Sequence, residues 1–266
     1  MDNQYSALTI ERDGPVAIII NNDGPWNRMT LSFIDELEDV IPMLGNDQSV
    51  RAIVIRGSGD ENFSVGMNLK QFSEGAKAKG GPDGLLDQRL RVLSLVENLH
   101  KPVIATLYGY CLGGGLELPL ACHFRLAAQD GAKIGLPEMD LGTVPAWGGS
   151  ARLTRCVGRD HALDMILRGK KISGPRALEI GLVNEVWPND ELQAAALKLA
   201  HELSAQPPLA IAGVLKTVIQ GEGASLEEAI RLEREAVHKT SMTKHQVEGM
   251  MAFLQKREPD FSTDPV

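Results

Sequence analysis

The sequence predicts an α/β protein in which strands and helices alternate, with helices alone from Ser150 onwards. Two observations support this fold class. Apolar runs of strand length alternate with longer segments whose apolar residues recur at helical spacing. A chain of 266 residues with 43% hydrophobic residues is also long enough to bury a sizeable core, in one large domain or in one domain with an appendage.

The amino-terminal part is predicted to begin with a hairpin. Residues 7–10 and 16–20 resemble strands, and Gly14 and Pro15 between them form a turn signal. Residues 31–44 carry apolar side chains at helical spacing, and residues 50–55 resemble a further strand. We therefore expect two paired strands, a helix and a third strand, in this order.

The rest of the chain is predicted to add further strands and helices. Residues 74–83 contain glycine and lysine and are predicted to be a mobile loop near the mouth of a pocket. Gly181 and Ser225 are expected to cap helix ends. The predicted strands are residues 103–107, 123–127 and 133–136. The predicted helices are residues 85–99, 116–122, 160–167, 175–180, 190–205, 209–220 and 225–240.

Charge and composition exclude several classes of protein. The formal net charge of −8 argues against a nucleic-acid or membrane partner held by general electrostatics. No apolar run approaches the roughly 18 to 20 residues that a membrane helix needs, and the polar start at Asp2 does not resemble a signal peptide. Cys111, Cys122 and Cys156 are odd in number and lack metal spacing, so we expect reduced core thiols in a cytoplasmic protein.

The most informative stretch is residues 102–142. Three adjacent glycines at positions 113–115 follow an apolar strand and precede a segment that is apolar except for Glu117. At a helix start the first N–H groups have no partner within the helix, and bare glycine backbone lets an anion or an oxyanion approach them. By itself the pattern also fits a glycine turn for close packing, with Glu117 as an acid at a helix start.

A second carboxylate favours the catalytic interpretation. Glu138 follows a short strand and Pro137. Two carboxylates on separate elements near an amide donor suit acid–base chemistry on a carbonyl substrate, and burial raises a carboxyl pKa towards the range useful for proton transfer. The sequence contains no dinucleotide-binding or P-loop glycine motif, no nucleophile elbow and no histidine spacing typical of a metal site. We therefore expect no metal and no separate cofactor.

The same stretch resembles the crotonase superfamily, the enoyl-CoA hydratases and isomerases. The patterns G-x-x-x-G-G-G-x-E-L and P-E-x-x-L-G-x-x-P-x-x-G-G-x-x-R-L match residues 109–118 and 137–153. The resemblance extends over about residues 7–261. It implies a spiral of ββα repeats as the core domain, residues 1–205. It also implies a C-terminal helical region, residues 206–266, for trimerisation and for covering the active site.

The resemblance implies the activity of an enoyl-CoA hydratase, which adds water reversibly across the 2,3 double bond of a 2-enoyl-CoA thioester to give 3-hydroxyacyl-CoA. The backbone N–H groups of Met67 and Gly114 would form an oxyanion hole. Glu117 would be the general base for water, and Glu138 would supply the proton to the α-carbon. Coenzyme A is then part of the substrate.

The resemblance also implies a set of substrate-binding residues and a homotrimer or dimer of trimers. Residues 248–257 match the pattern E-G-x-x-A-F-x-x-K-R of the family's last helix. Within it, Phe253 and Lys256 match positions that contact the adenine end of coenzyme A in relatives. The complete predicted set is Asn27, Met29, Gly66, Met67, Asn68, Leu69, Lys70, Gly113, Gly114, Pro145, Trp147, Phe253 and Lys256.

Some residues depart from the family pattern and keep alternatives open. Met67 and Asn68 replace the usual alanine and aspartate, and Trp26 and Trp147 either add bulk to the acyl pocket or are plain core aromatics. A branched, cyclic or aromatic acyl group is therefore one hypothesis. An enoyl-CoA isomerase or hydratase-lyase is the enzymatic alternative. An RNA-binding member is the non-enzymatic one, which the net charge of −8 disfavours.

Overall fold

A six-stranded sheet forms the centre of the molecule in the computed structural model, which describes residues 5–263. In chain order the strands are β1 (Leu8–Asp13), β2 (Val16–Asn21), β3 (Ala52–Gly57), β4 (Val103–Leu107), β5 (Tyr110–Leu112), β6 (Phe124–Ala128), β7 (Lys133–Gly135) and β8 (Glu185–Trp187). The sheet order is β1-β2-β3-β4-β6-β8, and β5 pairs with β7 in a separate two-stranded sheet. The β1–β2 pair is antiparallel and every other pair of these strands is parallel.

Eleven α-helices surround the sheets in the described part of the chain. They are α1 (Leu31–Asn46), α2 (Phe72–Ala78), α3 (Pro82–Glu97), α4 (Gly114–Ala121), α5 (Gly149–Val157), α6 (Arg159–Leu167), α7 (Gly174–Glu179), α8 (Leu192–Ser204), α9 (Pro208–Gly221), α10 (Leu226–Thr240) and α11 (Lys244–Gln255). Helix α8 packs across β2, β3, β4 and β6, while α4 packs between α3 and α5. Burial of apolar strand and helix faces between these layers forms the core.

Several predictions of elements are confirmed. Strand β4 has the predicted bounds, and all of its side chains are buried. The predicted cap at Ser225 is confirmed, since its side chain accepts a hydrogen bond from the backbone N–H of Glu228. Gly181 directly follows the last residues of α7 with φ 76°, a conformation that favours glycine at a helix end. Cys111 and Cys122 are buried as predicted, whereas Cys156 is only partly buried.

The prediction of a loop at residues 74–83 is wrong, because α2 covers its first half and α3 begins at Pro82. Gly75 lies against the neighbouring helix, and a Cβ there would be 2.5 Å from Leu31 Cδ2. Gly80 and Gly81 have φ of 79° and 132°, which residues with a side chain rarely adopt, so the glycines serve the turn between the two helices. The prediction of helices alone after Ser150 misses strand β8, and β5 is not predicted either. Each has only three residues, which carry too little pattern without the partner strands β6 and β7.

The C-terminal helices form a separate layer. Helices α9 and α10 pack against each other, and a Cβ at Gly213 would lie 2.7 Å from Ala236 Cβ. Arg51 ties this layer to the core, because its guanidinium donates to the Gln206 carbonyl at 2.7 Å. Residues 1–4 and 264–266, which the predicted domains and the signal-peptide argument include, lie outside the described residues. Among the residues that are described, we find no helix with the length and apolarity to cross a membrane.

Candidate active site

The glycines at positions 113–115 bring backbone atoms into close approach at the start of α4. A Cβ on Gly115 would lie 2.3 Å from the carbonyl oxygen of Ser64, and one on Gly114 would lie 2.5 Å from the Trp147 ring. Gly113 has φ 55° and donates its N–H to the Gly135 carbonyl at 3.1 Å. Larger residues would separate these elements, so the glycines are needed for the packing of α4 as well as for access to its N-terminus.

Two backbone N–H groups at this point are available to a ligand. Gly114 is the first residue of α4, and its N–H has no acceptor among the described residues. The Met67 N–H likewise has no acceptor within the described residues. A Cβ on Gly66, which precedes Met67, would lie 3.4 Å from the Gly114 nitrogen, so the two loops are adjacent. Two unpaired backbone donors on adjacent loops are one requirement of an oxyanion hole.

Glu117 lies in the first turn of α4 and is only 2% exposed. Its Oε1 accepts hydrogen bonds from the backbone N–H groups of Trp147, at 2.7 Å, and Gly149, at 2.9 Å. Burial raises the pKa of this carboxyl to about 7, against the lowering effect of the two N–H donors. The nearby Glu138 carboxyl raises it further, and Arg152 lowers it. Glu117 therefore holds or releases a proton near neutral pH.

Arg152 fixes the loop that carries these donors. Its Nη1 donates to the Trp147 carbonyl at 2.9 Å. Its Nε and Nη2 form a bidentate ion pair with the two carboxylate oxygens of Glu97, each at 2.8 Å. Paired bonds of this kind restrain orientation as well as distance. The hydrogen bonds on Glu117 are therefore held by a link between α5 and the end of α3.

Glu138 reaches the same place from the turn after β7. A Cβ on Gly113 would lie 3.0 Å from Glu138 Oε1, so the carboxyl lies against the glycine loop. Burial raises the pKa of Glu138 as well. Its Oε2 is buried and has no hydrogen-bond partner within the described residues. A buried carboxyl oxygen without a partner is suited to receive a polar group from a ligand.

A cavity of about 380 Å³ joins these groups. Its volume is in the range of small-molecule sites. The predicted site residues that line it are Gly66, Met67, Leu69, Gly113, Gly114, Glu117, Glu138 and Trp147. Two donors and two carboxyls with raised pKa thus face one space, where they can polarise a carbonyl group and move protons.

Other predicted residues lie outside the cavity wall. Asn27 is fully buried and its amide donates to the carbonyls of Ser58 and Asn62, so it holds a loop. Met29 hydrogen-bonds through its backbone to the residues on either side of Met67 and so positions that loop.

The remaining predicted residues do not contact the cavity either. Asn68, Lys70 and the buried Pro145 neighbour residues that line it. Phe253 is 83% exposed and Lys256 is exposed, at the end of α11.

The two tryptophans differ in position. Trp147 is buried and lines the cavity, whereas Trp26 is 49% exposed and does not. The hypothesis that Trp26 lines an acyl pocket is therefore wrong.

Sequence reasoning also missed Arg89, which lines the cavity from α3. A signal was present, because Arg89 occupies the buried helix face four residues after Leu85 and three before Val92. In the described part of the chain, His, Cys, Asp and Glu side chains form no group of three or more that could hold a metal ion.

Comparisons with known proteins agree with this geometry. A family model described as enoyl-CoA hydratase/isomerase matches residues 11–264. A protein of Bacillus subtilis named probable enoyl-CoA hydratase is 35% identical over 96% of this chain and 98% of its own length. The short-chain-enoyl-CoA hydratase of Clostridium acetobutylicum is 33% identical over 96% of this chain and 97% of its own. The crystal structure of an enoyl-CoA hydratase from Bacillus anthracis superposes with a TM-score of 0.91 at 30% identity, covering 97% of this chain and 100% of that one.

Proposed function

This chain belongs to the enoyl-CoA hydratase/isomerase family, whose α/β crotonase fold it adopts, and from that premise we propose that it is an enoyl-CoA hydratase. The reaction is the reversible addition of water across the 2,3 double bond of a 2-enoyl-CoA thioester, which gives 3-hydroxyacyl-CoA. One observation carries the proposal: Glu117 and Glu138 line the same cavity as the free N–H groups of Met67 and Gly114. A hydration needs both a base and an acid at that place.

The thioester carbonyl oxygen would accept both N–H groups. Negative charge develops on this oxygen when water attacks the conjugated β-carbon, so donors fixed there stabilise the enolate-like transition state. The loss of one such donor typically costs on the order of 100- to 1000-fold in rate. Because Met67 and Gly114 contribute backbone groups, the side chain of Met67 affects the shape of the cavity and leaves the donor in place.

The two carboxyls would divide the proton transfers. Ionised Glu117 takes a proton from water while the water oxygen bonds to the β-carbon, and the double-bond electrons move to the carbonyl oxygen. The enolate then returns these electrons to its α-carbon, which takes the proton of Glu138. Dehydration reverses both steps. The raised pKa values of both groups support these roles. Glu117, with a pKa of about 7, can hold and release a proton near neutral pH, and burial raises the pKa of Glu138 and so favours its protonated form. Coenzyme A is part of the substrate in this reaction.

The nucleotide end of the substrate is assigned to the C-terminal region, residues 206–266, as a proposal of the same kind. Phe253 and Lys256 lie outside the cavity wall and are exposed on α11. In a homotrimer they would contact the adenine end of coenzyme A bound by their own or a neighbouring subunit. Exposed apolar residues on α9, α10 and α11 support such an assembly.

The experiment that tests the activity follows the ultraviolet absorbance of the conjugated enoyl thioester. We expect the band to disappear, with 3-hydroxyacyl-CoA as the product. Glu117→Gln and Glu138→Gln are each expected to lower kcat by about 100- to 10,000-fold, the usual contribution of a general acid or base. Glu202→Gln, on the exposed face of α8, is the matched control and should retain the parent rate.

Other outcomes would contradict the hydratase assignment. Loss of activity in only one of the two variants would indicate a one-carboxylate reaction, such as the isomerase or hydratase-lyase alternative. An unchanged absorbance with every linear, branched and cyclic 2-enoyl-CoA, despite measurable thioester binding, would also contradict the hydratase assignment and favour the isomerase or hydratase-lyase alternative.

A further inference from the structure

Arg89 is a buried cation in the wall of the candidate active site. It lies in the middle of α3, is only 1% exposed, and is among the largest fully buried side chains of the described residues. Burial lowers the pKa of its guanidinium, but arginine stays charged at any physiological pH. A buried charge is costly unless hydrogen bonds and an opposite charge compensate it. The hydrogen bonds and charges around Arg89 therefore show whether its positive charge is compensated within the protein.

The guanidinium is only partly satisfied. Its Nη1 donates to Gln88 Oε1 at 2.6 Å and approaches the Leu85 carbonyl at 3.4 Å. Its Nε and Nη2 are buried without an acceptor among the described residues. Two N–H-bearing nitrogens of one guanidinium thus lack an acceptor in the described part of the chain.

No carboxylate in the described part of the chain pairs directly with Arg89. The nearby carboxylates Asp35 and Glu38 are engaged through Gln88, whose Nε2 donates to them at 2.6 and 2.8 Å. Their charges compensate the guanidinium from a distance, while Glu38 also pairs with Arg91 at 2.6 Å. The positive charge at the cavity wall therefore lacks an anion in contact with it.

The guanidinium lies close to Trp147, which lines the same cavity. Its central carbon is 5.9 Å from the centroid of the Trp147 ring. This ring also occupies the place that a Gly114 side chain would take, and the backbone N–H of Trp147 donates to Glu117 Oε1. A thioester carbonyl at the Gly114 N–H would thus have the Trp147 ring beside it, and the acyl group attached to it would lie in a cavity whose wall includes Arg89.

We propose that Arg89 is a specificity-determining residue that binds a carboxylate at the far end of the acyl group, so that the preferred substrates are CoA thioesters of short dicarboxylic acids. A carboxylate offers two oxygens to the adjacent Nε and Nη2 donors, the pairing that guanidinium geometry favours. An alkyl end leaves both donors and the charge without a partner. The proposal rests on the proposed function only in placing an acyl-CoA in this cavity.

The test measures binding without turnover. Succinyl-, glutaryl- and adipoyl-CoA are titrated into the full-length protein by calorimetry, beside butanoyl-, pentanoyl- and hexanoyl-CoA with the same carbon numbers. These saturated thioesters have no double bond to hydrate, so the result does not depend on the hydratase assignment. We expect at least one dicarboxylic thioester to bind about 10- to 100-fold tighter than its alkyl counterpart, as for a charge-assisted hydrogen-bonded pair.

Variants assign the preference to the guanidinium. Arg89→Met keeps an unbranched side chain without donors, and the ratio of the two dissociation constants should fall to about 1. Arg159→Met makes the same change on α6, at an arginine whose side chain is 81% exposed and outside the cavity wall, and should keep the parent ratio. A purely structural role for Arg89 would change stability and leave this ratio unaltered.

Two results would overturn the proposal: equal affinities within all three pairs for the parent protein, or a preference that survives in Arg89→Met. If circular dichroism shows that Arg89→Met is unfolded, Arg89→Lys decides. Lysine retains the charge but cannot offer two parallel donors, so the ratio should drop severalfold, and an unchanged ratio contradicts the proposal. Failure of hydration in the absorbance assay, with the dicarboxylic preference intact, would instead reject only the proposed function.

Discussion

At the scale of the residue, Glu117 shows how the fold places a costly group where chemistry can use it. Its carboxyl is buried in an apolar helix and stabilised by two backbone N–H donors, yet burial dominates and its pKa rises from 4.5 to about 7. An ionised form destabilised by the fold is a base that readily accepts a proton. At this position, the burial that lowers the stability of the folded protein also makes the carboxylate a stronger base.

The cost of this burial is measurable as a pH dependence of stability. Between pH 4.5 and about 7, folded Glu117 retains a proton that the unfolded chain has released, so its contribution to stability is lost as the pH rises. Ionisation of Glu117 should lower the unfolding free energy of the parent by up to about 3 kcal/mol between pH 4 and pH 8. Glu117→Gln has no carboxyl proton to release, so this loss should be absent from the variant. Urea unfolding at several pH values measures the difference. Glu202→Gln is the exposed control, and a difference between Glu117→Gln and the parent that does not grow with pH would contradict this expectation.

At the scale of the element, the start of α4 depends on contacts more than on helix propensity. Glycine at positions 114 and 115 is unfavourable inside a helix by about 1 kcal/mol each relative to alanine. The close approach of the Ser64 carbonyl and of the Trp147 ring explains why both are glycine here. The same contacts bring the Gly114 N–H next to the loop of Met67.

Alanine substitutions in α4 and α11 separate the effect of close contacts from the effect of helix propensity. In Gly115→Ala the new Cβ would lie 2.3 Å from a backbone oxygen, so we expect a loss of about 1 to 3 kcal/mol in stability together with a lower kcat. In Gly249→Ala, within α11, the new Cβ would meet Phe261 at an ordinary 3.6 Å, so propensity should raise stability by up to about 1 kcal/mol. Thermal unfolding of both variants gives the comparison. A stabilised Gly115→Ala would mean that close packing is not what requires glycine there.

At the scale of the whole molecule, the C-terminal helices present an unpartnered apolar surface. Helix α9 is rich in apolar residues, yet none of them is buried. The exposed apolar residues of this surface include Val214, Val218, Leu226, Ile230, Val237, Met250, Phe253 and Leu254. Many exposed apolar residues on neighbouring helices are typical of an interface. The domain boundary at residue 205 and the cytoplasmic location stay predictions.

The proposed trimer predicts a particle of about three times 28.8 kDa in light scattering after size-exclusion chromatography. Val218→Glu and Leu254→Glu place a charge on residues that are 61% and 72% exposed, and each should shift the particle towards the monomer. Met43→Glu introduces the same charge at a 42% exposed apolar residue of α1 and is the control. A parent protein that elutes as a monomer at micromolar concentration would contradict the assembly.

The sequence by itself determined much of the fold and most of the groups of the candidate site. Strand β4, the cap at Ser225, the glycines at 113–115 and the two glutamates each carry a local signal, because periodicity, cap chemistry and backbone freedom act over a few residues. Such signals are present in the chain before it folds. They indicated which groups are chemically important and on which elements they lie.

The tertiary structure alone decided how these groups meet. The helix at residues 72–78 and the short strand β5 form against partners distant in the chain, so their local patterns were too weak to predict them. The burial of Glu117 beneath the Trp147 loop, and Arg89 in the cavity wall without an anion, depend on helices that come together only on packing. Burial and the supply of partners for charged groups are properties of the assembled interior, and they determine the pKa of Glu117 and what the cavity binds.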